Sequence, residues 1–296
     1  MRLRQAFSVW TDLQYRILKR ISPREPRYLS GDTYAGKSKI KILLGEQVLQ
    51  ELRGRVVLDF GCGDGNEAIE LARNGAGLVI GIDNREAALR RARENARHAG
   101  MQDVCAFSSE GPEGADAILS LDGFEHFGDP GAVLRTMYDL LKPGGVVFAS
   151  FGPTWYHPLG GHLFSVFPWA HLIFSERALM RWRSDLRTDG AKRFAEVEGG
   201  LNGMTIARFE RLLKASPFAV ESFETKPIRR LRFIHNRLTR EFTTSVVRCK
   251  LRRHIGTHRC DHRRELSSAS PMPAAPPASE CSNDVMTKHQ LRTGDR

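Results

Sequence analysis

Apolar side chains recur along this chain with two different periods, and the change of period divides the sequence into segments. In residues 3–21 they recur every three or four positions, which predicts an amphipathic helix with arginine and lysine around an apolar stripe. A second helix is predicted over residues 40–52. From residue 55 onward, short apolar runs alternate with helical patterns, which is typical of strands followed by helices.

Seven strands are predicted, over residues 56–60, 78–82, 103–107, 115–121, 146–151, 218–225 and 242–251. Helices are predicted between them, over residues 66–74, 85–99, 130–141 and 205–215. Because strands and helices alternate, the pattern predicts an α/β fold with a Rossmann-like, seven-stranded, doubly wound and mostly parallel sheet.

Residues 152–203 interrupt this alternation and hold three of the four tryptophans, which predicts a substrate-capping insertion after strand five. Beyond residue 253 the composition shifts to serine, proline, alanine and charge, which is typical of a disordered tail. We therefore expect an N-terminal helical lid in residues 1–53 and a core in residues 54–151 and 204–251. A basic, then disordered tail is expected over residues 252–296.

Composition narrows the class of protein. A chain of 296 residues with 41% hydrophobic residues can bury a substantial core. No apolar run reaches the roughly 18 residues of a membrane span, and the N-terminus lacks a signal-type apolar block. The five cysteines do not suggest a disulfide framework. These features predict a cytoplasmic protein.

The positive charge is concentrated in one strip. Thirteen lysines and arginines but only two acidic residues lie between Lys226 and Arg264, so this strip carries the net charge of +11 of the whole chain. Such a strip can contact an anionic membrane surface, nucleic acid or an acidic substrate, or form a charged sheet edge. No specific nucleic-acid motif accompanies it, so we expect a solvated edge, with peripheral contact to an anionic membrane as the alternative.

A glycine-rich turn follows the first predicted strand. Gly61, Gly63 and Gly65 lie between that strand and a helix, where glycine lets the backbone turn sharply and a ligand approach closely. Asp83 ends the second predicted strand, where a carboxylate can accept hydrogen bonds from ribose hydroxyls. A dinucleotide-binding dehydrogenase would need glycine or alanine at position 66, and the chain has asparagine there.

With these residues the sequence resembles the class I S-adenosylmethionine-dependent methyltransferases. The segments VVLDFGCGDG, VIGIDN, DAILSLDGFEHFGDP and LLKPGGVVFASF are similar to that family's motifs and occur in the same order between residues 54 and 151. The resemblance implies S-adenosylmethionine as the cofactor and methyl transfer to an O, N or C atom of a small-molecule or lipid-like acceptor. The cofactor-binding residues that it implies are Asp59, Gly61, Gly63, Gly65, Asp83, Ser109 and Leu121, with Ser108 and Glu110 as alternatives to Ser109 beside the adenine.

Catalytic candidates follow the fourth predicted strand, because ligands in open α/β sheets bind beyond the carboxyl ends of the strands. His126, with Glu125 behind it, can take a proton if the acceptor is a hydroxyl or a phenol. The pentapeptide FEHFG also resembles the cyclopropane fatty acid synthases, where the matching Glu and His lie at a carbonate site. Cyclopropanation of a lipid is therefore an alternative, as is a non-catalytic membrane-surface or nucleic-acid-binding role.

The insertion supplies a third catalytic candidate, His157, among aromatic residues that can line an acceptor pocket or form the insertion's own core: Trp155, Tyr156, Phe164, Phe167 and Trp169. No metal site is predicted, because the spacings of the insertion's histidines and of the Cys/His cluster at 249–262 match no metal-binding pattern.

A segment at residues 31–38 matches the P-loop pattern Gly-x4-Gly-Lys-Ser. A P-loop works only when a buried strand delivers it to a helix N-terminus, and residues 23–30 do not read as such a strand. We expect Tyr34 and Lys37 to belong to a lid over the cofactor instead.

Overall fold

The structure is a computed structural model that describes residues 2–22, 34, 36–161, 167–197 and 199–255, with only the backbone of residues 2–8. Residues 256–296 of the predicted tail lie outside the described residues, as do most of the Cys/His cluster at 249–262 and two insertion residues, His162 and Phe164.

One seven-stranded sheet is the centre of the fold, with the strand order β3-β2-β1-β4-β5-β7-β6. The strands are β1 Val56–Phe60, β2 Leu78–Ile82, β3 Cys105–Ser108, β4 Ala115–Leu121, β5 Leu141–Phe151, β6 Ala219–Pro227 and β7 Thr244–Arg252. Strands β1 to β5 are parallel, and β7 is antiparallel to both of its neighbours, β5 and β6. The predicted α/β fold with a mostly parallel sheet is confirmed.

Ten α-helices are present in the described residues. They are α1 Arg2–Ile21, α2 Lys39–Leu43, α3 Gln47–Glu51, α4 Asn66–Arg73, α5 Glu86–His98, α6 Pro130–Leu140, α7 Ala170–Ile173, α8 Glu176–Ser184, α9 Ile206–Ala215 and α10 Arg240–Thr243. The single helix predicted over residues 40–52 is wrong, because Gly45 has a φ of 102° and separates α2 from α3.

The ends of four strands differ from the predicted ones. Strand β3 covers Cys105–Ser108 instead of residues 103–107, and β6 covers Ala219–Pro227 instead of residues 218–225. Strand β5 already begins at Leu141, opposite Ala115, and a register shift separates this first pair from the regular ladder that follows. Strand β7 begins at Thr244, because residues Arg240–Thr243 form the helical turn α10.

Each face of the sheet buries a separate apolar layer. Val57 of β1 lies in the layer with α2 to α5, whereas the next residue, Leu58, lies in the layer with α6 and α9. This alternation follows from the strand, in which successive side chains point to opposite faces. The sheet is therefore covered on both sides, and the carboxyl ends of β1, β2 and β4 are exposed to ligands only at its edge.

The described residues of the insertion form a third cluster, with α7, α8 and the short 3-10 helix Phe194–Glu196, and α1 belongs to it. Leu18 of α1 is buried there, the Gln14 side-chain carbonyl accepts hydrogen bonds from Ser175 N and Oγ (3.0 and 2.6 Å), and Trp182 donates to Ser22 O. The aromatics Trp155 and Phe167 pack in this cluster, so they contribute to the insertion's own core.

No helix in the described part of the chain has the length and apolar character that crossing a membrane requires.

Candidate functional site

Three glycines follow β1 with left-handed backbone angles. The φ values are 85° at Gly61, 52° at Gly63 and 79° at Gly65. The loop is held against β2, because Gly61 N and Cys62 N both donate to Ile82 O (2.8 and 3.0 Å). Glycine is favoured at all three positions because other residues are strained in this conformation.

Gly65 and Gly61 differ in the space beside their Cα atoms. An alanine Cβ at Gly65 would lie 2.8 Å from the Phe107 ring and 2.9 Å from Ala92 Cβ, whereas no atom lies within 4 Å of a Cβ at Gly61. Gly65 therefore lets α4 pack against β3 and α5, and Gly61 keeps open space beside the loop.

Replacing Gly65 by alanine is expected to lower the free energy of unfolding by about 3 kcal/mol. The left-handed backbone costs roughly 1–2 kcal/mol, and an extra methyl in a packed core costs about 1–3 kcal/mol. Gly61→Ala is the matched control and should lose only the backbone contribution. Urea unfolding without cofactor measures both, and equal losses would contradict the role of close packing at Gly65.

Asp83 ends its strand with a buried carboxylate, which is only 7% exposed. Its Oδ2 accepts a hydrogen bond from Gly63 N (3.0 Å), and its Oδ1 accepts bonds from Arg85 N (2.9 Å) and Arg85 Nε (3.1 Å). Burial by itself would raise the pKa of Asp83, but these bonds lower it below the usual value. A permanent carboxylate thus connects the glycine loop to the end of β2.

A cavity of about 1050 Å³ lies between the glycine loop and the segment around α2. Its lining includes Gly61, Gly63, Tyr34, Lys37 and Lys39. Tyr34 and Lys37 therefore border the same cavity as the glycine loop, as expected for a lid. Open space at Gly61, beside the buried carboxylate of Asp83, fits a ligand that carries a ribose.

Polar side chains meet at the end of β4. Asp122, Glu125 and His126 follow this strand, Tyr34 and Lys39 come from the predicted lid, and we call these five residues the β4 cluster. Asp122 has a φ of 51°, which is unusual for a residue with a Cβ, and its Oδ2 lies 3.0 Å from Lys39 Nζ. Glu125 is buried and accepts a hydrogen bond from Gly152 N at Oε1 (3.1 Å). Asp122 Oδ1 and Glu125 Oε2 are buried and have no hydrogen-bond partner in the described structure.

Burial and, next, the charge of Asp122 raise the pKa of Glu125 to about 8. Glu125 is therefore a neutral carboxylic acid at pH 7, and it carries a proton that it can donate. Burial and Asp122 also raise the pKa of the Tyr34 hydroxyl to about 12, so Tyr34 is neutral as well. The cluster combines one ion pair with two neutral hydrogen-bonding groups.

Lys39 is a residue that the sequence analysis did not single out. Its ammonium group makes the ion pair with Asp122 and lies 5.6 Å from the centre of the Tyr34 ring. Burial lowers its pKa, but the charges of Asp122 and Glu67 and the hydrogen bond to Asp122 together outweigh this and raise the pKa above the usual value. The one feature of the sequence that could have indicated Lys39 as a site residue is its position two residues after Lys37, in the predicted lid.

His126 lies between β4 and the insertion. Its Nδ1 is 2.6 Å from Gly200 O, and because a carbonyl only accepts, Nδ1 carries a hydrogen and donates it. The ring is therefore oriented by the insertion, whereas Glu125 bonds to the backbone that follows β5. The structure places both predicted residues after β4 and gives each an orienting partner.

His157 is buried within the insertion, where its Nδ1 accepts a hydrogen bond from Leu159 N (2.9 Å). Burial and then the nearby His171 lower the pKa of His157 to about 4. The ring is therefore neutral, with its hydrogen on Nε2. His171 lies 2.6 Å from Trp155 O through its Nε2. No three His, Cys, Asp or Glu side chains group as metal ligands within the described residues.

The other predicted cofactor residues lie at the ends of their strands. Asp59 is buried in β1, and burial followed by the charge of Glu67 raises its pKa to about 8. Its Oδ2 has no hydrogen-bond partner in the described structure. Leu121 is buried at the end of β4, and Ser109 is exposed immediately after β3.

Comparison with known proteins identifies the family. A family model described as a methyltransferase domain matches residues 37–223. The ubiquinone biosynthesis O-methyltransferase of Neisseria meningitidis serogroup C (strain 053442) is 38% identical over 110 residues, which cover 34% of this chain and 45% of that protein. Its namesake from Paracidovorax citrulli (strain AAC00-1) is 34% identical over 150 residues, which cover 48% and 56%. The chain spans about half the length of these relatives.

Among solved structures, an S-adenosylmethionine-dependent methyltransferase from Mesorhizobium loti is 20% identical, with a TM-score of 0.47 over 70% of this chain and 96% of that one. The family match covers the glycine loop, the β4 cluster, the insertion and α9. The chain therefore belongs to the class I S-adenosylmethionine-dependent methyltransferases.

Proposed function

We propose that this protein transfers a methyl group from S-adenosylmethionine to a hydroxyl oxygen of a small-molecule or lipid-like acceptor. The observation that carries the proposal is the β4 cluster, in which Glu125 Oε2 is buried without a hydrogen-bond partner in the described structure and the neighbouring His126 ring is oriented by Gly200 O through Nδ1. Both follow a strand adjacent to the one that carries the glycine loop. The relatives named as O-methyltransferases support oxygen as the accepting atom.

S-adenosylmethionine, when bound, supplies a methyl group on a positively charged sulfur. We propose that Gly61, Gly63 and Gly65 hold its methionine part and that Asp83 accepts hydrogen bonds from its ribose, since Asp83 is an ionised, buried acceptor beside the loop. Asp59, Ser109 and Leu121 are proposed as further cofactor contacts at the ends of their strands.

A hydroxyl becomes a good nucleophile when a base takes its proton. We propose that His126 takes this proton at Nε2, while Gly200 O keeps the ring in the required tautomer. Glu125, which is neutral at pH 7, would donate a hydrogen bond from Oε2 and position the acceptor oxygen. Asp122, which pairs with Lys39 through Oδ2, has a second buried carboxylate oxygen, Oδ1, without a partner in the described structure.

We propose that the insertion caps the acceptor pocket and that the neutral His157 ring donates a hydrogen bond from Nε2 to the acceptor. Its contact with the β4 cluster supports this, since Asn202 Nδ2 donates to Phe124 O (2.7 Å) and to Phe127 O (2.8 Å). The cyclopropane-synthase alternative has no further support beyond the FEHFG pentapeptide. The lipid-like acceptor is part of this proposal, and so is peripheral contact of the protein with a membrane.

The decisive experiment is a methyl-transfer assay with methyl-labelled S-adenosylmethionine and phenolic acceptors, with and without an alkyl tail. We expect label on the hydroxyl oxygen and one molecule of demethylated cofactor for each methylated acceptor. Amine acceptors and methoxy analogues of the same phenols serve as controls. Label on an amine or on carbon, with none on oxygen, would overturn the proposal.

A further inference from the structure

The basic strip predicted from the sequence is not uniform in the folded protein. On β7 the cations are neutralised, because Arg248 pairs with Glu224 and Lys250 pairs with Glu51 (2.6 and 2.7 Å). Arg252 pairs in the same way with Glu221. β7 lies between β5 and β6 rather than at the edge of the sheet. Its cations have their own counter-ions, which leaves little net charge to attract a partner.

The segment between β6 and α10 is different, and we call residues 228–238 the arginine loop. Four arginines of this loop are exposed and have no acidic partner in the described part of the chain: Arg229, Arg230, Arg232 and Arg237. Two large apolar side chains lie among them, Phe233 with 80% of its surface exposed and Leu238 with 91%.

The arginine loop is held in shape by the sheet. His235 lies between two threonine hydroxyls, 3.1 Å from Thr225 Oγ1 and 2.8 Å from Thr243 Oγ1. Asn236 Oδ1 accepts hydrogen bonds from the backbone N–H groups of Leu238 and Thr239 (2.8 and 3.2 Å). The backbone is thus fixed while the apolar side chains point to solvent, so their exposure is a property of the folded loop.

Exposed apolar groups continue from the arginine loop onto the insertion. The ring of Phe242, after the loop, lies 5.3 Å from that of Tyr156, and Trp169 Nε1 donates to Tyr156 O (2.9 Å). Trp169 precedes α7, where Ile173 is 60% exposed. The exposed apolar groups therefore reach from the arginine loop to the insertion proposed to cap the acceptor.

We propose that the arginine loop, together with this apolar edge of the insertion, docks on an anionic phospholipid surface. Arginines bind phosphate head groups, while Phe233 and Leu238 enter the boundary between head groups and acyl chains. Nucleic acid would use the same charge but has no apolar layer for two exposed aliphatic and aromatic side chains. The inference rests on the lipid-like acceptor of the proposed function, and docking would bring the insertion close to an acceptor in the membrane.

Vesicle co-sedimentation of the full chain tests the proposal. The vesicles are pure phosphatidylcholine or an equal mixture of phosphatidylcholine and phosphatidylglycerol. We expect binding only to the mixture, weakened by added salt. Each arginine removed is expected to weaken binding about fivefold, so R229Q/R230Q should lose about 25-fold. Phe233→Ser with Leu238→Ser should lose on the order of tenfold or more.

The matched control is R90Q/R97Q, which removes two exposed arginines from α5 and thus the same charge. An equal loss in this control, or wild-type binding by both loop variants, would overturn the proposal. Binding to DNA instead of vesicles would overturn it as well. Failure of the docking proposal and failure of the proposed function are distinguishable. If only docking is wrong, titration still shows binding of S-adenosylmethionine although the vesicles do not bind. If only the proposed function is wrong, the vesicles bind although no methyl group is transferred.

Discussion

Replacing Asp83 by alanine is expected to weaken binding of S-adenosylmethionine about 100-fold. Two hydrogen bonds from ribose hydroxyls to a carboxylate contribute roughly 1.5 kcal/mol each, and about 3 kcal/mol corresponds to that factor in the dissociation constant. The carboxylate also accepts the Gly63 N–H bond (3.0 Å), so the variant loosens the loop as well. Isothermal titration of purified protein measures the effect, with NAD⁺ titrated separately and expected not to bind.

Asp64→Ala is the matched control for this prediction. Asp64 belongs to the same loop, but its carboxylate is half-exposed and pairs with Arg91 at 2.9 Å. Its removal should change the affinity by less than about threefold, because exposed ion pairs contribute roughly 0–1 kcal/mol. If Asp83→Ala and Asp64→Ala bind the cofactor equally well, Asp83 does not hold the ribose. Binding of NAD⁺ in preference would contradict the whole assignment of the glycine loop.

Replacing His126 by glutamine is expected to lower kcat for a hydroxyl acceptor by roughly 100- to 10,000-fold, the range of general base catalysis. Glutamine keeps a polar side chain of similar length, but it has no basic nitrogen. The affinity for S-adenosylmethionine should not change, since the glycine loop and Asp83 are untouched. Initial rates with the acceptor identified in the methyl-transfer assay give kcat, and titration gives the affinity.

His98→Gln is the control, because His98 is an exposed residue at the end of α5, away from β4. It should leave kcat unchanged. Glu125→Gln distinguishes the proposed base, His126, from the proposed positioning group, Glu125. Glutamine at position 125 retains a hydrogen-bond donor, so we expect kcat to fall less than in His126→Gln. A wild-type kcat in His126→Gln would show that the proton leaves by another route. A loss of cofactor affinity in the same variant would show a structural role instead.

The sequence was sufficient for the architecture because its signals are local. Alternating apolar runs and helical periods specify strands and helices, and strands of β-branched and aliphatic residues followed by helices can bury both faces only in a sheet of this type. The glycine loop could also be predicted from the sequence, because a left-handed backbone between a strand and a helix favours glycine, as at Gly61 and Gly65. Asp83 followed from its place at the end of β2.

Tertiary structure decided which side chains meet. Lys39 and Asp122 are 83 positions apart in the chain, yet their ion pair places a lysine of α2 at the end of β4. The basic strip is also divided into a neutralised part and a part without acidic partners only in the folded protein. Antiparallel pairing of β6 with β7 puts Glu224 beside Arg248, whereas the arginine loop lies outside that pairing. Local periodicity determines what each segment becomes, but electrostatics depends on distances that only the packed sheet creates.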